Sequence, residues 1–297
     1  MKLEIRDPRL SEVVDSRAEL ETLSEGHLFT EGPLWDARQR RLLFSDIPGN
    51  RIHQWSADGG TGVFRAPSQM SNGLAWDVQG RLLACEHASS RLTRTEPDGR
   101  ITVLASTYQG RELNSPNDVV TKSDGNIYFT DPSYGRMPYY GVERTPQLGF
   151  RGVYRVAPDG QPLRLLVDDF AQPNGLCFSA DERRLFVNDT ERSHIRVFDV
   201  QPDGGLGAGA LWAEVHGEGQ GAPDGMKIDS AGHLYCCGPG GVHVFDPAAR
   251  CLGVLLLPQP VANFTWGDDD LRSLFFTATS AVYRLRMTVP GRRPPGA

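Results

Sequence analysis

Six short polar residues stand at one recurring phase of this chain: Glu31, Asn72, Asn117, Asn174, Asp224 and Asn263. Each precedes an apolar, β-prone run, as Asn174-Gly175 precedes Leu176-Cys177-Phe178 and Asp224-Gly225 precedes Met226-Lys227-Ile228. Asn117, Asn174 and Asp224 each follow a proline directly. Proline cannot donate to a strand ladder, so the strand begins after it and the polar side chain sits at the strand's mouth. Glu31 and Asp224 are carboxylates, and Asn117 and Asn174 offer amide oxygens. A donor set made only of oxygen suits a hard divalent cation, Ca²⁺ before Mg²⁺ or Mn²⁺. Two carboxylates and neutral amides balance such a charge and leave positions for water and substrate. A turn reading competes, because Asp58-Gly59, Asp98-Gly99, Asp124-Gly125, Asp159-Gly160 and Asp203-Gly204 are all turn pairs. Those pairs follow or separate strands, whereas Asp224-Gly225 precedes a strand in phase with Asn117 and Asn174.

The elements that position these residues repeat. Each copy runs from the polar residue through an apolar strand, a turn and two further strands, often ending in Asp-Gly. The first copy holds Leu34-Trp35, then Arg41-Leu42-Leu43-Phe44-Ser45-Asp46, then Arg51-Ile52-His53-Gln54-Trp55. The starts are 41, 45, 57, 50 and 39 residues apart. A period of 40 to 50 residues with about four strands per copy is the pattern of a propeller blade. The chain is therefore expected to be all-β, a six-bladed β-propeller with a central channel over residues 29–287. A lead-in over 1–28 and a tail over 288–297 flank it. The first strand of each blade lines the channel, so the six polar residues should converge at one mouth.

Other candidates lie at strand ends and in loops. His87 follows the second strand of blade two and reads as a proton shuttle, a substrate donor or a structural histidine. Asn114 reads as a substrate contact or a turn residue. Asp131 and Tyr134 open an insertion of about 20 residues in blade three, through Met137-Pro138-Tyr139-Tyr140. Long loops on rigid scaffolds often form lids or binding walls. His27, His53, His194, His216, His233 and His243 read as structural or solvated.

Composition narrows the partners. The formal charge of −6 argues against nucleic acid. No apolar run approaches the ~20 residues of a membrane span. The start, Met1-Lys2-Leu3-Glu4-Ile5-Arg6-Asp7, carries charges where a signal peptide needs an apolar core, so a cytoplasmic protein is expected. The cysteines, Cys85, Cys177, Cys236, Cys237 and Cys251, are odd in number and lack zinc-knuckle spacing, which favours buried small hydrophobes.

In order along the chain stand Glu31-Gly32-Pro33-x-Trp35, Asn114-Ser115-Pro116-Asn117-Asp118, Thr130-Asp131-Pro132, Pro173-Asn174-Gly175 and Pro223-Asp224-Gly225. Together they resemble the senescence marker protein/gluconolactonase/luciferin-regenerating enzyme-like family, which includes regucalcin and diisopropylfluorophosphatase relatives. The resemblance runs from Phe29 to Arg286. The Cys85-Glu86-His87 and Asp131-Pro132-x-Tyr134-Gly135 stretches are closest to bacterial gluconolactonases. Ser115 departs from the animal members, which carry Arg there. The family implies a six-bladed propeller with a divalent metal at the channel mouth: Ca²⁺ first, with Mg²⁺, Mn²⁺, Zn²⁺ or Fe²⁺ as alternatives. By position, Glu31, Asn174 and Asp224 would be ligands, and Asn117 a ligand or a residue between metal and substrate. Asp224 would also be the catalytic base or nucleophile. The implied substrate is a sugar-type lactone such as gluconolactone, met by Asn114, Asn117, Asp131, Tyr134 and His87. The enzyme would be a monomer or small homo-oligomer. A phosphotriesterase using the same site, and a non-catalytic calcium- or partner-binding propeller, are the alternatives.

Overall fold

A computed structural model describes residues 2–296. Among these residues, six sheets of four or five strands form the blades of a β-propeller. From first blade to last, the innermost strands are Thr30–Asp36, Ser71–Trp76, Val119–Thr121, Pro173–Phe178, Met226–Ile228 and Asn263–Gly267. Successive strands in each blade pair antiparallel, as Asn263–Gly267 pairs with Ser273–Ala278 and that with Ala281–Arg286. Apolar side chains fill the spaces between blades. Tyr128, Val153, Leu176, Val187 and Phe198, for example, form one buried cluster between blades three and four.

The residues read as a lead-in are woven into the last two blades. Glu21–Glu25 pairs with Ala281–Arg286 and supplies the outer strand of blade six. Lys2–Ile5 adds a fifth strand to blade five through Cys251–Leu256. Between them a short helix, Leu10–Val13, buries Leu10, Val13 and Val14 completely against blades five and six. The C-terminal part of the chain supplies blade six with three strands, leaving an edge of unpaired donors and acceptors. Pairing that edge with the N-terminal strand closes the ring and removes the exposed edge.

The Gly after a ring residue answers a packing demand. A Cβ on Gly32 would lie 2.1 Å from the Asn72 carbonyl oxygen of the next blade, and one on Gly73 would lie 2.5 Å from that of Asn117. Likewise a Cβ on Gly175 would meet the Asp224 carbonyl oxygen at 2.1 Å, and one on Gly225 the Asn263 Oδ1 at 2.1 Å. Neighbouring inner strands thus approach more closely than any side chain allows. Gly175→Ala should lower the melting temperature, because overpacking of this kind typically costs about 1–3 kcal/mol. Thermal unfolding checks it, and an unchanged melting temperature would mean that the strands can separate freely.

A second regular device aims the ring. A carboxylate at the end of each of three second strands accepts two backbone N–H groups from the loop entering the same blade. Asp46 takes Leu28 and Phe29 at 3.2 and 3.1 Å, Asp131 takes Asn114 and Ser115 at 2.8 and 2.7 Å, and Asp189 takes Ala171 and Gln172 at 2.8 and 3.0 Å. These pairs lie three and two residues before Glu31, Asn117 and Asn174. One residue before each carboxylate, a polar side chain fixes a ring carbonyl of the next blade. Ser45 Oγ donates to Asn72 O at 2.7 Å, Thr130 Oγ1 to Asn174 O at 2.8 Å and Asn188 Nδ2 to Asp224 O at 2.5 Å.

Candidate active site

Five of the six ring residues, Glu31, Asn72, Asn117, Asn174 and Asp224, line one cavity of about 160 Å³ at the channel mouth. Phe29, Ile47, His87, Tyr134, Tyr140 and Thr190 complete its wall. Asn263 contributes from beside it, donating from Nδ2 to Glu31 Oε2 at 3.0 Å. A larger cavity of about 530 Å³ lies at the opposite end of the channel, walled by Leu34, Trp76, Phe178, Trp266 and the Arg292–Gly296 tail. None of the ring residues lines it.

The mouth concentrates negative charge. Burial, opposed by the Gly32 N–H and reinforced by the charge of Asp118, raises Glu31 to about 7. Asp224 is half-buried in the cavity wall, and burial together with the charges of Glu31 and Asp118 raises it well above the usual carboxylate range. Burial also raises Asp118, against the pull of Lys227, whose Nζ is 4.0 Å from Asp118 Oδ2. No Lys or Arg is among the residues lining the mouth cavity. Two carboxyls so placed must share protons or meet a cation.

Asn174 supplies the sharper signal. Thr190 Oγ1 donates to the Pro223 carbonyl at 2.6 Å, so it accepts from Asn174 Nδ2 at 3.1 Å. That fixes the amide with its oxygen away from Thr190, and Asn174 Oδ1 is buried without a hydrogen-bond partner. A buried orphan acceptor normally costs about 1–3 kcal/mol. Beside two carboxyls it is the expected state of a metal ligand, so Glu31, Asn174 and Asp224 fit a divalent cation, with Asn117 lining the same cavity.

The protein-family model described as "SMP-30/Gluconolactonase/LRE-like region" matches residues 29–280. The chain belongs to this family. A gluconolactonase of Zymomonas mobilis is 32% identical over 302 residues, covering 94% of this chain and 84% of the relative. A solved gluconolactonase from Xanthomonas campestris is 36% identical with a TM-score of 0.89, covering 97% of this chain and 95% of its own. A solved regucalcin from Agrobacterium tumefaciens, 21% identical, shares the fold at a TM-score of 0.78, covering 94% of this chain and 97% of its own. With the first two as relatives, this SMP-30/gluconolactonase-family chain is an enzyme, a hydrolase of carboxylic ester bonds.

Within the SMP-30/gluconolactonase frame, the remaining sequence candidates separate into wall and support. Tyr134 lines the cavity, and burial pushes its hydroxyl up to about 12. It is therefore a neutral donor at ordinary pH. His87 also lines the cavity but is not free. Its Nδ1 is 2.8 Å from the Tyr140 carbonyl oxygen, and its Nε2 is 3.3 Å from Asn72 Nδ2. The carbonyl demands the proton on Nδ1, so Nε2 accepts from Asn72, and both ring nitrogens are engaged. Burial holds the ring's pKa down to about 4, so it is neutral.

Asn114 and Asp131 do not line the cavity. Asn114 Nδ2 donates to Asp131 O and Oδ2, both at 3.2 Å, and to Phe150 O at 2.9 Å. Asp131 gathers the loop before Asn117, as above, so both hold the ring in place from outside the cavity. Ser115, at the departure from the animal pattern, donates from Oγ to Pro132 O at 2.6 Å and accepts from Gly135 N at 2.9 Å. A Cβ on Gly135 would lie 2.6 Å from both His87 and Ser115, so only glycine lets the insertion settle here.

That insertion crosses the mouth to blade one. Tyr139 donates its hydroxyl to the Leu28 carbonyl at 3.0 Å, and the Tyr140 ring packs edge-on against Phe29 at 5.1 Å. Arg136 and Arg144 pin its ends, to Asn114 O at 2.7 Å and His87 O at 3.2 Å. Thr190, Phe29 and Ile47 were not among the sequence candidates, whereas Tyr140 belongs to the insertion read there as a lid or binding wall. Thr190 had a usable signal: it follows the Asn188-Asp189 pair, which repeats Ser45-Asp46 and Thr130-Asp131 in phase. The cysteines are free, and Cys85, Cys177, Cys236 and Cys237 are buried. Among the described residues no helix is long and apolar enough to cross a membrane.

Proposed function

We propose that this chain is a metal-dependent lactonase that opens a small sugar-type lactone, such as gluconolactone, to the hydroxy acid. The observation that carries the reading is the Glu31–Asp224 carboxyl pair beside the orphan Asn174 Oδ1 in a small walled cavity. Glu31, Asn174 and Asp224 would hold the cation, with Asn117 as a further ligand or a contact between cation and substrate. The all-oxygen set favours Ca²⁺. When bound, the cation polarises the lactone carbonyl and stabilises the charge that develops on its oxygen.

The chain's own residues supply the rest. Asp224, ionised beside a cation, accepts a proton from the attacking water. The water oxygen bonds to the carbonyl carbon, the ring carbon–oxygen bond breaks, and the proton taken up by Asp224 passes to the ring oxygen, which leaves as a hydroxyl. Tyr134 stays protonated and can donate to a substrate oxygen. Phe29, Ile47 and Tyr140 present an apolar face to the sugar ring and keep bulk water away. The cavity is smaller than the ~300–1,000 Å³ typical of drug-sized ligands, which suits one small ring.

The electrostatics give a pH test with a definite sign. Between the ordinary 4.5 and about 7, an unfolded Glu31 releases its proton while the folded one retains it. Metal-free stability therefore falls as pH rises through that window. A cation competes with those protons, so its stabilisation grows with pH. The Ca²⁺-induced rise in melting temperature should be larger at about pH 8 than at about pH 5. A gain that is flat or shrinks with pH would contradict this. Acid release from gluconolactone, followed with and without chelator, tests the activity itself.

A further inference from the structure

Outside the channel, three metal-type side chains meet at the seam where the propeller ring closes. His27 lies in the connector between the closing strand Glu21–Glu25 and the inner strand Thr30–Asp36. Asp46 ends the second strand of blade one, Arg41–Asp46, and His53 lies on the third, Arg51–Ser56. One ligand-type atom from each residue lies within 4.8 Å of the others. The side chains of His27 and Asp46 are 8% and 7% exposed, and His53 is 8% exposed.

The surroundings prepare the ligands. His27 Nε2 is 2.7 Å from Ser24 Oγ, which leaves Nδ1 facing Asp46 Oδ2 at 3.9 Å. Asp46 is aimed by the backbone N–H groups of Leu28 and Phe29. His53 Nε2 is buried with no hydrogen-bond partner. An unpaired buried ring nitrogen is unfavourable and calls for an explanation. Burial lowers the pKa of both imidazoles, which keeps them in the neutral form that binds metals.

We propose that His27, Asp46 and His53 form a second, structural metal site for a borderline transition ion such as Zn²⁺, separate from the all-oxygen set in the channel. Two imidazoles and one carboxylate are a zinc-type donor set, with water as the fourth ligand. Zn–ligand distances of ~2.0–2.1 Å place tetrahedral ligand atoms about 3.3 Å apart, so binding draws these side chains inward by a modest amount. Ser24 and the Leu28 and Phe29 amides then hold the ligands from behind, as partners of metal ligands commonly do. The ion ties the closing connector to blade one. It also stiffens the Leu28–Phe29 segment on which Tyr139 and Tyr140 of the insertion rest.

Calorimetric titration of the metal-stripped protein with Zn²⁺, in excess Ca²⁺, tests this. The expected result is one Zn²⁺ equivalent per chain that is absent in His53→Phe and in His27→Gln and retained in Glu31→Gln. Zn²⁺ should raise the melting temperature of the wild type and of Glu31→Gln but of neither histidine variant. Equal Zn²⁺ binding in wild type and both histidine variants, loss of the equivalent in Glu31→Gln, or no binding at all would overturn the proposal. In each of those cases the His27, Phe44 and His53 rings are only a packing cluster. His27→Gln keeps a polar side chain, so the comparison survives if His53→Phe fails to fold.

Discussion

Asp224→Asn should cut kcat for lactone hydrolysis by about 10²–10⁴-fold, the usual range for loss of a general base, while a divalent cation still binds. The substitution keeps size and one oxygen but leaves no group that accepts a proton at ordinary pH. The backbone position should hold, because Asn188 Nδ2 and a Cβ-free Gly175 fix the Asp224 carbonyl and neither involves its side chain. The ligand set keeps an oxygen at this position but loses one negative charge. Cation affinity should therefore weaken without vanishing. Steady-state kinetics at saturating Ca²⁺, paired with calorimetric cation binding, separates the two effects. A near wild-type kcat would reduce Asp224 to a ligand. His87, the other titratable candidate in the wall, has both nitrogens engaged and would have to break a hydrogen bond to serve instead.

Glu31→Gln should act on the cation and not on the chemical step. Glu31 Oε2 accepts from Gly32 N at 2.6 Å and Asn263 Nδ2 at 3.0 Å, and a Gln carbonyl can accept both. The fold should survive, but one negative charge leaves the ligand set. Cation affinity should fall by at least the ~10–100-fold typical of losing a mere supporting partner of a metal ligand. Activity should return as cation is added, with kcat close to wild type. Activity that stays low at saturating cation would give Glu31 a direct part in the chemistry.

The repeat was legible because each blade restarts with the same punctuation, and packing of neighbouring inner strands enforces it. Gly32, Gly73, Gly175 and Gly225 mark places where a Cβ would strike the next blade. The convergence of Glu31, Asn72, Asn117, Asn174 and Asp224 followed from that phase. The pairing of Glu21–Glu25 with Ala281–Arg286 was not legible, since its partners lie at opposite ends of the chain and local pattern carries no such information. The supporting hydrogen bonds of Asn114 and Asp131 were not legible for a related reason. A buried carboxylate taking two backbone N–H groups looks, in sequence, like one facing a ligand. Only the recurrence of Asp46, Asp131 and Asp189 at one phase distinguishes the supporting role. The insertion's reach to Leu28 and Phe29 also depends on tertiary contact, as does the Thr190 hydroxyl that turns the Asn174 amide.

The most direct test of the central claim is lactone hydrolysis by metal-stripped protein titrated with Ca²⁺. The proposed site requires hydrolysis to fall to the uncatalysed rate in chelator. It should then return in proportion to the first equivalent bound, with Glu31→Gln needing far more cation for the same recovery. Full hydrolysis by metal-stripped protein in chelator would show that Glu31, Asn174 and Asp224 work without a metal, and the account would fail.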